Sequence, residues 1–194
     1  MLALLLPCGV QTASARPALN PSGHKVEAAA PARRTAEARN VEAKGPYYVD
    51  FRARTAASWG HTFVWYGKTS ERAVEVAGLT PAGDTAAYML GYFTFVPSET
   101  GASYGDLDPD YLTASYRVYL NEADAKRVFA YIRKLQQSSP VWSAEIANCN
   151  SFVGNIASYM GLETPVRWRR PEDYINSLRE MNGGRQIVRL AAEQ

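Results

Sequence analysis

The stretch His61-Thr62-Phe63-Val64-Trp65-Tyr66 decides the fold class. Five of its six residues are β-branched or aromatic, and Gly60 and Gly67 bound it, so it reads as a strand. The segment from Gly67 to Arg72 supplies a turn, and Ala73-Val74-Glu75-Val76-Ala77 reads as the return strand of a hairpin. Upstream, Tyr47-Tyr48-Val49-Asp50-Phe51 is β-prone. Downstream, Tyr92-Phe93-Thr94-Phe95-Val96 predicts a further strand stopped by Pro97, and Ser115 to Leu120 predicts another. Between these two, Ser98 to Asp110 carries Gly101, Gly105 and Pro109 and reads as a long polar loop.

Helical signals come later in the chain. Asn121 is a helix cap with Glu122 and Asp124 behind it, and Ala125, Val128, Phe129, Ile132 and Leu135 recur at helical spacing. A second helix is expected from Cys149 to Met160, with Phe152, Val153, Ile156 and Ala157 on one face and Gly161 as its stop. Pro171 to Met181 predicts a short third helix. Strands first and helices afterwards point to an α+β fold, an antiparallel sheet packed against helices, rather than a parallel doubly wound sheet.

The chain of 194 residues suits one domain. Met1 to Val10 is apolar and Ala13-Ser14-Ala15 follows as a cleavage pattern, so residues 1–15 read as a secretory signal, far shorter than the ~20 residues of a membrane span. Residues 16–45 are rich in Ala, Pro, Arg and Glu without Trp, Phe or Tyr, and read as a flexible linker that includes His24. The folded domain is expected over 46–181, with a C-terminal tail over 182–194. Export into the periplasm or the extracellular space follows from the signal, and cleavage there removes Cys8. Cys149 is then the single cysteine, a thiol without a partner in a compartment where thiols are usually paired.

A formal net charge of +2 and the absence of a dense basic block argue against nucleic acid as a partner. Arg167, Arg169 and Arg170 around Trp168 read as solvated surface. One histidine and one cysteine in the folded region do not make a zinc site, and no glycine-rich phosphate loop stands in a strand-to-helix context, so no metal or cofactor is expected.

Cys149 follows Asn148, which can cap the helix and leave the cysteine at its first position. Unpaired N–H groups there lower a thiol's pKa and can also bind an oxyanion beside the sulfur, with Asn148 and Asn150 supporting the helix start. Cys149 is equally in step with Phe152, Val153 and Ile156, so its helical phase leaves a core thiol and a reactive thiol both open. His61 is the one histidine of the folded region, on a strand face shared with Phe63 and Trp65. It is the candidate base, and Glu75, on the return strand of the same hairpin, is the candidate group to orient it.

Trp59-Gly60-His61-Thr62-Phe63-Val64 on a strand, followed by Asn148-Cys149-Asn150-Ser151-Phe152-Val153 opening a helix, resembles the permuted papain-like cysteine hydrolases. These are relatives of the NlpC-type cell-wall peptidases and the lecithin:retinol acyltransferase-like proteins. The resemblance spans Pro46 to Pro165. It implies a permuted papain-like fold, Cys149 as nucleophile, His61 as general base and a third polar residue on a neighbouring strand, a role for which Glu75 is plausible. The function expected is an exported thiol hydrolase or acyltransferase cutting an amide or ester bond in a peptide, cell-wall or acyl substrate. The competing expectation is a non-catalytic periplasmic binding module on the same fold, using Trp59, Trp65, Trp142 and Trp168.

Overall fold

The computed structural model describes residues 45–55 and 59–191. The signal and linker expectations, with Cys8 and His24, fall on residues outside the described ones. In chain order the elements are β1 (Tyr47–Arg54), β2 (His61–Lys68), β3 (Glu75–Gly78), β4 (Thr80–Pro81), α1 (Thr85–Leu90) and β5 (Val96–Glu99). A 3-10 turn (Pro109–Tyr111), β6 (Leu112–Leu120), α2 (Glu122–Gln137), β7 (Val141–Trp142), α3 (Cys149–Tyr159) and α4 (Pro171–Met181) follow. The fold is α+β with antiparallel sheets. One sheet has the order β3-β2-β1-β6, and a smaller one has the order β4-β5-β7. Among the described residues, no helix is long and apolar enough to cross a membrane.

Alternation along the strands sorts the large sheet into two faces. Val49 and Phe51 of β1, Thr62, Val64 and Tyr66 of β2, and Tyr116, Val118 and Leu120 of β6 share one buried face. Against it pack Val128 and Ile132 of α2, Phe152, Val153 and Ile156 of α3, and Ile175 and Leu178 of α4. The opposite face is polar. Asp50 there accepts from Ser115 Oγ at 2.7 Å and from Arg117 Nη2 at 2.8 Å, and the Arg52 guanidinium lies 3.5 Å from the centre of the Trp65 ring. His61 and Phe63 belong to this second face, their rings stacked 5.7 Å apart.

The helix ends follow their sequences. Asn121 Oδ1 accepts from the Asp124 N–H at 2.8 Å, and α3 ends with Leu162 N–H bonded to Ala157 O across Gly161, whose φ is +72°. The return strand of the hairpin is Glu75–Gly78, pairing Ala77 with Val64 and Glu75 with Tyr66.

Three expectations change. The strand expected over Tyr92–Val96 is instead the exit of α1, because the N–H groups of Gly91, Tyr92, Phe93 and Thr94 all turn back onto carbonyls of Ala87, Met89 and Leu90. With those donors used, β5 begins only at Val96 and continues through Pro97 to Glu99. The polar loop from Ser98 is not wholly solvated, since Ser98 and Glu99 pair in β5 and Asp106 is 1% exposed. The domain also runs past Met181. Tyr119 N–H donates to Gln186 O, Val188 N–H donates to Tyr119 O, and the Val188 side chain is part of the core.

Candidate functional site

The first turn of α3 is closed by a capping box. Asn148 Oδ1 accepts from Ser151 N–H at 2.9 Å, and Asn148 N–H donates to Ser151 Oγ at 3.0 Å. Asn148 Nδ2 also donates to Ala144 O, anchoring the cap to the preceding loop. This puts Cys149 at the first helical position, where backbone N–H groups lack partners within the helix. The thiol is free and half-buried, while Phe152, Val153 and Ile156 on the same face are fully buried. The helix end opens as its later turns enter the core, so the phase of Cys149 is compatible with a reactive position.

Asn150 is buried one residue beyond the thiol. Its Oδ1 accepts from Thr62 Oγ1 at 3.0 Å, and its Nδ2 donates to Arg167 O at 2.9 Å and Arg169 O at 2.8 Å. Both amide hydrogens are used, so the side chain has none left for an oxyanion. Asn150 is a clamp that joins the helix start to β2 and to the Arg167–Arg170 loop. Asn148 does support the helix start.

His61 opens β2 after Gly60, whose φ of +103° turns the chain into the strand. The imidazole is buried, on the face of the sheet that carries Arg54. Its Nε2 lies 3.9 Å from Asp106 Oδ2 and makes no hydrogen bond. Gly78, on β3, makes room for it, because a Cβ there would stand 2.7 Å from His61 Nε2.

Asp106 is the charged group facing His61. Its Oδ1 accepts from Arg54 Nε at 2.6 Å, and its Oδ2 accepts from Ser103 N–H at 2.8 Å and Ser103 Oγ at 3.0 Å. Its carbonyl accepts from Trp65 Nε1 at 3.1 Å, so the loop is held down on the sheet. Burial pushes the His61 pKa down to about 4; Asp106 opposes that shift and Arg54 adds to it. His61 is therefore a neutral imidazole at pH 7.

Glu75 does not face His61. It lies across β3 from Tyr66, accepts from Tyr66 Oη at 2.9 Å and from Arg133 Nη1 at 3.3 Å, and is largely solvent-exposed. Its position on the helix face places it on the opposite side of the sheet from the histidine. Asp106 has no signal of its own in the sequence, because a loop carboxylate shows no periodicity. The turn-rich Ser103–Asp108 segment was the only local sign.

His61 and Cys149 border one cleft of about 1080 Å³, which Asn148 and Asn150 also line. Among the described residues no hydrogen bond joins the Cys149 thiol to His61 Nε2, and the charged groups acting on the imidazole are Asp106 and Arg54. An aromatic wall closes one side: Tyr88 and Trp142 stack 5.6 Å apart, and the Tyr88 and Tyr92 hydroxyls are 2.9 Å apart. Burial and this hydrogen bond raise the Tyr88 pKa, so the phenol stays protonated. Trp59 and Trp168, 73% and 72% exposed, stand on the rim.

No protein-family model, no characterised protein and no solved structure matches the chain.

Proposed function

We propose that the protein is a thiol hydrolase or acyltransferase of permuted papain-like organisation, with Cys149 as nucleophile and His61 as general base. The observation that supports this most is a half-exposed free thiol at the first position of a capped helix, opening on the same cleft as a buried neutral histidine. As general base His61 accepts the thiol proton, a transfer that its burial opposes and the facing Asp106 carboxylate favours. The sulfur then adds to the carbonyl carbon, and the carbonyl oxygen, now anionic, is met by N–H groups of the first turn of α3. His61 returns the proton to the leaving amine or alcohol as the carbon–heteroatom bond breaks. Water or an amine resolves the acyl-enzyme. Asp106 takes the place of Glu75 as the carboxylate facing His61, acting through its charge rather than through a hydrogen bond. With the export expected from residues 1–15, the substrates are peptide, cell-wall or acyl molecules outside the cytoplasm.

Acyl-enzyme formation from a p-nitrophenyl ester tests this reading. Mass spectrometry is expected to find the acyl group on Cys149 of the wild type and none on a folded Cys149→Ser variant. An ester turned over equally by both proteins contradicts it. The exposed Trp59 and Trp168 favour a second reading, a binding module that uses the cleft without chemistry. In that case Cys149→Ser leaves the biological activity intact.

A further inference from the structure

Arg167, Arg169 and Arg170 flank Trp168 on the rim of the cleft that holds Cys149. All three are exposed, and among the described residues none forms an ion pair with a carboxylate. The carboxylates that line the same cleft are Asp84, which is occupied in capping α1 by accepting from the Ala86 and Ala87 N–H groups, and Glu99 of β5.

The backbone that carries these arginines is fixed relative to the thiol. Asn150, the residue after Cys149, holds the carbonyls of Arg167 and Arg169. Arg167 Nη1 donates to Ile146 O at 2.9 Å and Trp168 Nε1 to Glu145 O at 3.2 Å, which ties the loop to the segment leading into α3. Pro171 then starts α4 directly after Arg170. A buried amide and two further hydrogen bonds thus hold a loop on which the Arg167 guanidinium is itself bonded to Ile146 O while the Arg169 and Arg170 side chains are exposed. The outcome is a preorganised cationic wall beside the nucleophile.

We propose that this wall recognises a carboxylate on the molecule whose carbonyl Cys149 attacks. Guanidinium forks match planar carboxylates in two-point hydrogen bonds, and the excess of positive charge that three arginines on one loop give over Asp84 and Glu99 in the same cleft concentrates anions there. The inference rests on Cys149 as the nucleophile of the proposed function, and it adds the class of substrate: an acyl or peptidyl compound with a free carboxylate near the bond to be cut.

Two alkylating reagents of the same shape separate the terms. Iodoacetate and iodoacetamide both form a C–S bond with the thiolate as the C–I bond breaks and iodide leaves, but only iodoacetate is anionic. The rate ratio of iodoacetate to iodoacetamide at Cys149 is expected to exceed that of a free cysteine peptide by about tenfold at low salt and to shrink as salt is added. In Arg169→Gln/Arg170→Gln the ratio, from which the thiolate fraction cancels, is expected to drop to the peptide's value, and Arg169→Lys/Arg170→Lys is expected to restore much of it. A wild-type ratio equal to the peptide's overturns the proposal, as does a double glutamine variant that keeps the raised ratio. Failure of the nucleophile reading shows separately, as an iodoacetamide rate no faster than the peptide's.

Discussion

Thr62 Oγ1 donates to Asn150 Oδ1 at 3.0 Å, a buried hydrogen bond between the residue after His61 and the residue after Cys149. It sets the start of β2 against the start of α3, and through the two amide hydrogens of Asn150 it extends to the Arg167–Arg170 loop. The two candidate groups therefore inherit their placement from one side chain that has no chemical role of its own.

Asn150→Ala should be among the more damaging single changes. It removes three hydrogen bonds and leaves buried polar groups unmatched, so a loss of about 2–4 kcal/mol is expected in urea unfolding. Thr62→Val, which removes one bond and keeps the shape, should cost about 1 kcal/mol. Equal effects for the two would contradict the clamp.

Gly78→Ala places a Cβ where His61 Nε2 and the Phe63 Cβ already stand, at 2.7 Å and 3.1 Å. The φ of Gly78 is not in the left-handed region, so the cost is steric and falls on the imidazole. A stability loss of about 1–3 kcal/mol is expected, together with slower alkylation of Cys149. Retained stability with an unchanged alkylation rate would show that the histidine does not depend on that space.

Protonation of His61 should couple folding to pH. Its pKa is lowered from 6.5 to about 4 in the folded protein, so between these values the unfolded chain binds more protons than the folded one. Stability is therefore full above pH 6.5 and lost as the pH falls toward 4, by about 3 kcal/mol in total. Urea titrations of the wild type and His61→Asn across pH 4–7 measure this. The asparagine variant is expected to show a shallower acid slope, and parallel slopes would be the contrary result.

Glu75, the carboxylate expected to orient His61, and Asp106, the one that faces it, separate cleanly by mutation. Asp106→Asn leaves the buried Arg54 guanidinium without its counter-charge and is expected to cost about 3–5 kcal/mol. Glu75→Gln touches only an exposed pair with Arg133 and the Tyr66 hydroxyl, so a change of about 1 kcal/mol or less is expected, with Cys149 alkylation unaltered. Slowed alkylation in Glu75→Gln would return Glu75 to the site.

Much of the fold was legible because its signals are local. The Thr62–Tyr66 run, the Asn121 and Asn148 caps, the Gly161 stop and Pro171 at a helix start each act within a few residues, and α4 spans Pro171–Met181 as expected. The α1 helix was missed although Asp84 caps it, because the aromatic run after Gly91 outweighed a six-residue helix. Asp106 and Val188 were missed for a different reason. Each is defined by a partner far along the chain, Arg54 and Tyr119, and no local pattern encodes such a meeting. The face of Glu75 turned on strand register, which alternation alone leaves open between neighbouring residues.

The central claim, that Cys149 is a nucleophile activated within this cleft by His61, is tested most directly by the rate at which iodoacetamide alkylates Cys149 at pH 7 in the wild type and in His61→Asn. A rate about tenfold above that of a free cysteine peptide is expected for the wild type, falling several-fold in a folded His61→Asn variant. A wild-type rate no greater than the peptide's, or equal rates in the two proteins, would contradict the account.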